Sequence, residues 1–266
     1  MIVTKLQGGL GNQMFQYAIG KQIAMRNNTE LVLDTTFYNY DRKRTYELHK
    51  FNVTDKVAQL NFSHNCNVIT ENSQCFNEQI LNIKDNCYLS GFWQSEKYFK
   101  SIRQTILDTF TLKAYSDKFK EYDDMIKWNS VSIHIRRSDY VSEPHTNSFH
   151  GVCPTEYYQS AISYLDNLVD ISKILIFSDD IQWAKDNLNL SAYGEQIVVE
   201  QLSNEEDMIL MSKCSHNIIA NSSFSWWGAW LNNVPDKIVI APKNWFGPTG
   251  SHLNTNDIYC EKWIKI

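Results

Sequence analysis

Apolar positions along the chain fall into two stretches of α/β character separated by a region without a clear period. The first begins at once. IVTKL at 2–6 has strand character, and GGLGNQ at 8–13 turns into a helix whose Met14, Phe15, Ala18, Ile19 and Ile23 recur at helical spacing. LVLD at 31–34 is a second strand, so the opening is β-loop-α-β, which predicts a parallel sheet covered by helices. Residues 40–125 are aromatic and rich in asparagine, with short apolar runs such as CYLSGFW at 87–93. Alternation then returns with VSIHI at 131–135, a helix over about 155–169, ILIFSDD at 174–180 and IVVE at 197–200. A helix near 204–213, HNIIA at 216–220, a helix from about 223 and KIVIAP at 237–242 complete it. The pattern predicts an α/β protein of two doubly wound halves, 1–125 and 126–266.

Composition narrows what such a protein can do. A chain of 266 residues, 43% hydrophobic and 21% charged, is a folded protein and neither disordered nor fibrous. Its net charge of −5 argues against general affinity for nucleic acid, so any anion it binds must meet a local site. MIVTKLQGG reaches glycine too early for a secretory apolar segment, and no run of about 18 apolar residues occurs. The expectation is an intracellular protein. Six cysteines, at 66, 75, 87, 153, 214 and 260, form no C-x-x-C pair and read as free thiols. No two aspartates are separated by one residue, so a metal is not implied.

Four stretches carry chemistry. In VSIHIR, alternation sends His134 and Arg136 to one face and Ile133, Ile135 and then Arg137 to the other. Ligands of open α/β sheets sit beyond the carboxyl ends of strands, where Arg136 to Asp139 fall, and arginine suits forked binding of phosphate. The competing explanation is an Arg–Asp pair, such as Arg137 with Asp139, that only pins the loop. In HNIIANSSFSWWGAWL, Asn221, Ser222 and Ser223 are N-cap types before an aromatic helix, and such a start binds anions through free amides and the helix dipole. Ordinary capping explains them equally, and Trp226, Trp227 and Trp230 have the spacing of core residues. In ILIFSDD, either Asp179 or Asp180 could accept from a base or ribose while the other caps a helix. In GGLGNQ, Gly9 and Gly11 followed by Asp34 imitate a dinucleotide fingerprint, but Met14 stands where its third glycine belongs. Asn12 and Gln13 instead offer amides for sugar hydroxyls or phosphate oxygens.

Taken in order, GGLGNQMFQYA, HIRRSDYVS, FHGVCPTEYY, IFSDD and NSSFSWWGAWLN resemble the α-1,2-fucosyltransferases of glycosyltransferase family 11, especially the bacterial ones. The resemblance runs from Gly8 to about Pro242, and the His-x-Arg-Arg core is more distantly similar to that of α-1,6- and protein O-fucosyltransferases. It implies a GT-B fold of two Rossmann-like halves with parallel sheets facing a central cleft: 1–125 on the acceptor side and 126–266 binding GDP-fucose. It implies GDP-β-L-fucose as donor substrate, a β-galactoside-terminated glycan as acceptor, and inverting transfer to the 2-hydroxyl with no metal and no cofactor. Its setting would be bacterial O-antigen synthesis, in the cytoplasm or peripherally at the inner membrane. By similarity Arg136 binds the β-phosphate, His134 the guanosine part and Asp179 the guanine. Ser222, Ser223 and Phe224 line the diphosphate, with Gly9, Gly11 and Gln13 also on the donor side, and Asn12 reaches the fucose or the reacting centre. The family usually has glycine where Ser138 stands, so a strained turn is expected there if that glycine has positive φ.

The catalytic set expected is then Arg136, Asn12 and Asp139; Asp139, Glu143 and His150 are the general-base candidates, and a dissociative transition state would need no strong base at all. Two rival readings remain at this level. An NAD-dependent oxidoreductase would use Gly9, Gly11 and Asp34 but leaves HIRRSDY without a role. A non-catalytic carbohydrate-binding protein would use the 13% of aromatic residues but needs no phosphate-binding arginine.

Overall fold

The computed structural model describes residues 1–59, 66–126 and 128–266. They form two compact units, the first of residues 1–114 and 254–260, the second of 115–253 and 261–266.

The first unit is built on β1 (Ile2–Lys5), α1 (Leu10–Asn27), β2 (Leu31–Asp34), β3 (Lys56–Ala58), β4 (Asn67–Thr70), β5 (Cys87–Ser90) and α2 (Arg103–Thr109). The strands make one parallel sheet in the order β3-β2-β1-β5-β4. Helix α1 lies tight against it. A Cβ at Gly20 would come within 2.3 Å of the Thr4 hydroxyl and 2.8 Å of Leu31, so the close helix–strand approach falls at Gly20, two turns beyond Met14. Residues 40–125 lack a readable period because their strands are short. β3 and β4 have three and four residues, and Val57 and Val68 on them are exposed.

The second unit opens with α3 (Asp117–Met125) and β6 (Ser130–Ile135), followed by the short helices α4 (Ser138–Ser142) and α5 (Pro144–His150). Then come α6 (Thr155–Asp166), β7 (Lys173–Ser178), α7 (Ile181–Asn187), β8 (Glu195–Val198) and α8 (Asn204–Lys213). β9 (His216–Ile218), α9 (Ser223–Leu231), β10 (Val239–Ala241) and β11 (Ile264–Lys265) complete it. Its parallel sheet has the order β11-β10-β9-β6-β7-β8. Counted from β6 this is the dinucleotide-fold order, with the chain reversing direction of growth between β6 and β9.

All six residues of β6 are buried, as a strand covered on both faces requires. On one face Val131, Ile133 and Ile135 share a core with Tyr158, Ala161, Ile162 and Leu165 of α6, each such aliphatic side chain contributing about 1.5–3 kcal/mol. On the other face the Asn217 amide donates to Ser132 Oγ at 2.7 Å and to the Met211 carbonyl of α8 at 2.8 Å. Trp226, Trp227 and Trp230 are buried to 2% exposure or less and belong to the core.

The division between the units falls at 114/115, earlier than position 125. Helix α3 belongs with the second unit because Tyr122 Oη accepts from the Glu200 amide at 3.1 Å, Lys213 reaches Asp123 at 2.6 Å, and the Ser116 amide donates to Glu206 at 2.6 Å. Residues 254–260 rejoin the first unit, where Asp257 accepts from the Phe76 amide at 2.7 Å and pairs with Lys97.

Candidate active site

Between β6 and β9 two loops leave neighbouring strands, and the second unit gathers its charged groups there. Past Ile135 the chain turns at Arg137 (φ −137°, ψ −62°) and enters α4. The i,i+3 spacing of that turn brings Arg136 Nη2 onto Asp139, while Arg136 Nη1 lies 2.7 Å from Asp179 Oδ2. The competing Arg137–Asp139 pair is therefore not the one formed. Arg137 turns toward β7 instead: its amide donates to Asp179 Oδ1 at 2.8 Å and its Nε to Asp180 Oδ2 at 3.2 Å. Its guanidinium carbon sits 3.9 Å from the centroid of the Trp183 ring.

The two aspartates ending β7 divide their work. Asp180 caps α7, accepting from the Trp183 amide at 3.2 Å, while Asp179 orders both arginines. Ser138 carries no strain. It is the first residue of α4 with ordinary helical geometry rather than positive φ, and its hydroxyl donates to the Asp179 carbonyl at 3.2 Å. The expected cost of replacing glycine there is absent because the turn is made at Arg137.

His134 is buried beside this cluster, its ring centroid 5.3 Å from that of Phe224. Burial first, and then the Arg136 charge, push its pKa down to about 4 against the opposing pull of Asp179, so the imidazole is neutral at physiological pH. Its Nδ1 has no hydrogen-bond partner among the described residues.

From β9, Asn221 donates to the carbonyls of His150 at 2.7 Å and Trp245 at 3.2 Å, knotting three loops. Ser222 is the N-cap of α9 and accepts from the Phe224 amide at 3.3 Å; Ser223 opens the helix. An anion-binding helix start is thus set beside a carboxylate-oriented arginine.

The base candidates separate in space. Asp139 touches Arg136, His150 stacks on Tyr140, and Glu143 accepts from the Thr146 hydroxyl at 3.1 Å. Burial lowers the His150 pKa, with Arg136 adding and Asp139 opposing.

In the first unit, Gly8 has φ +78°, and a Cβ there would meet the Asn12 amide at 2.7 Å. Gly9 caps α1 through its carbonyl, which accepts from Asn12 and Gln13, and Gly11 is buried in the first helical turn. Asn12 accepts from Gln94 at 2.8 Å. Gln13 is fully buried: its amide donates to the carbonyls of Gly8 at 3.1 Å and Thr45 at 2.8 Å and accepts from the Glu47 amide at 2.9 Å. Asp34 accepts from the Thr36 amide at 3.0 Å and from the Tyr88 hydroxyl at 2.9 Å.

Two parallel doubly wound sheets, one with an oriented cation where its strand order reverses, define a GT-B protein. The fucosyltransferase NodZ from Bradyrhizobium superposes with a TM-score of 0.54 at 15% identity, over 90% of this chain and 94% of that one. Sequence relatives make the class particular. An α-1,2-colitosyltransferase of Escherichia coli is 37% identical across the whole chain and 99% of its own length, and the O-antigen biosynthesis glycosyltransferase WbnK of Escherichia coli is 32% identical over 98% and 99%. The model of glycosyl transferase family 11 matches residues 1–266, and the chain belongs to that family. It is a glycosyltransferase, which displaces the oxidoreductase reading. Among the described residues no helix is long and apolar enough to cross a membrane.

Sequence reading passed over Tyr140, whose ring lies under Arg136, and Trp183, under Arg137. Helical i,i+4 spacing from Arg136 points to Tyr140. Trp183 has no such local signal, because its contact crosses from α7 to the turn after β6.

Proposed function

We propose that this enzyme transfers L-fucose from GDP-β-L-fucose to the 2-hydroxyl of a terminal β-galactoside, with inversion, in the synthesis of a bacterial surface glycan. The observation that carries this reading is Arg136, oriented by Asp139 and Asp179 beside the serine-capped start of α9. Charge developing on a leaving diphosphate would be taken up by the guanidinium and the helix amides near Ser223, the work a metal does elsewhere. Neutral, buried His134 and the ring of Phe224 suit the uncharged guanosine end. Of the three base candidates we assign Asp139, which adjoins the arginine. There it would accept the proton of the attacking hydroxyl.

We assign the acceptor to the first unit, and with it Asn12 in the first turn of α1. A cavity of about 670 Å³ opens at the carboxyl ends of β1 and β2, bounded by Lys5, Asp41, Phe37 and Tyr40. Tyr40 is 81% exposed and offers a sugar a stacking face beside polar groups.

Fucose and colitose differ by one hydroxyl, at C3, and the names of the relatives bear on both. The test offers GDP-fucose and GDP-colitose separately to the purified protein with lactose in EDTA, and reads mass and linkage of the product. α-1,2-Fucosylated lactose formed faster than its colitosyl counterpart supports the proposal. Colitose transfer alone replaces the donor sugar, and turnover only on adding Mg²⁺ or Mn²⁺ overturns metal independence. Asp139→Asn, Glu143→Gln and His150→Gln, each with a pH–rate profile, check the base; a normal profile for Asp139→Asn removes it from that role.

A further inference from the structure

Arg136 is held on three sides. Asp139 engages Nη2, Asp179 engages Nη1, and the ring of Tyr140 lies against the guanidinium with its centroid 5.3 Å from Cζ. Behind Tyr140 the imidazole of His150 stacks at 4.7 Å, 7° from parallel. The same pair reaches the other loop of the site. The Tyr140 hydroxyl donates to the Asn221 carbonyl at 3.5 Å, and the Asn221 amide donates to the His150 carbonyl at 2.7 Å, one residue before the cap of α9.

These contacts do different things. Asp139 takes an Nη2–H and Asp179 pairs with Nη1 along the guanidinium's edge, while the Tyr140 ring, over which Cζ lies, restrains the group without using any of its N–H donors. A planar fork recognises two oxygens only when that plane is set. We propose that Tyr140, backed by His150, is a positioning residue that fixes the plane of Arg136 relative to the start of α9, so that a nucleoside diphosphate engages both at once. This rests on reading the site as a diphosphate site.

The test compares GDP and GMP binding by calorimetry in the wild type, Tyr140→Phe, Tyr140→Leu and His150→Ala, with melting curves for each. Tyr140→Phe keeps the face and is expected within about twofold of wild type. Tyr140→Leu keeps bulk without the face; GDP binding is expected to weaken about tenfold while GMP binding holds, so the preference for the second phosphate collapses. His150→Ala leaves Tyr140 in place and is expected to lose about threefold on GDP alone. Should Tyr140→Leu not fold, the His150→Ala result decides. GDP binding unchanged in Tyr140→Leu, or in His150→Ala, overturns the positioning role, as does a parallel loss of GDP and GMP. A wild type without any preference for GDP over GMP would instead overturn the diphosphate reading itself, and the positioning role with it.

Discussion

The turn after β1 and the turn after β6 open similar parallel sheets, yet they use polar residues in opposite ways. After β1, the glycines and Asp34 imitate a nucleotide fingerprint, but Asp34 accepts from Thr36 and Tyr88, and Gln13 beside them spends its amide on the backbone of residues 8, 45 and 47. After β6 nothing resembles a fingerprint. There, however, Arg136 is oriented by side chains and retains edge donors beside a helix start. A glycine pattern reports how tightly a chain turns; whether a site results depends on which polar groups the fold leaves unspent.

The contrast can be broken most sharply by paired substitutions. Arg136→Ala is expected to lower kcat by about 10²–10³, and Arg136→Lys not to restore it, since a point charge cannot fork. Gly9→Ala places its Cβ no nearer than 3.8 Å to Arg44 and is expected to leave turnover within about threefold of wild type. Equal losses from the two in steady-state assays would erase the distinction. Next in size, Gln13→Leu is expected to destabilise the protein by about 2–4 kcal/mol in urea titration, because it strands buried backbone partners. Asn12→Ala, losing one half-buried bond to Gln94, is expected to cost under about 1 kcal/mol and to act on turnover instead.

The smallest effect concerns pH. Burial depresses His134, so between about 6.5 and 4 the unfolded chain binds the proton that the folded one refuses. Stability contributed by neutral His134 is therefore complete above pH 6.5 and lost as pH falls toward about 4. Melting temperatures of the wild type and His134→Asn, compared at intervals from pH 8 to 4, are expected to converge on acidification. Parallel curves would mean that Asp179 offsets both the burial of the ring and the Arg136 charge.

Much of the fold was legible in the sequence where strands are buried on both faces. β1, β2 and β7 are apolar runs and β6 alternates aliphatic with polar residues, all of them largely buried, and the helix at 204–213 forms where it was expected, behind a capping box at Ser203. β3 and β4 escaped because they are short, with exposed valines, and α3 escaped because its nine residues bury only Phe119 and Tyr122. At the site, residue types were readable and partners were not. That Arg136 takes Asp179 across 43 positions, and Arg137 takes Asp180, depends on the parallel register Ile135 to Ser178, which no local pattern encodes. Asn12 and Gln13 look alike on paper, yet helical phase points one inward.

The return of residues 254–260 to the first unit has a practical side. A fragment cut at 114/115 would not be a free-standing half. It would carry Asp257 without the Phe76 amide and Lys97 that anchor it, on the tether leading to edge strand β11. Dissecting this enzyme to study the second unit alone therefore calls for a short linker bridging 253 to 261, so that the outermost strand is kept while the stray loop is left behind.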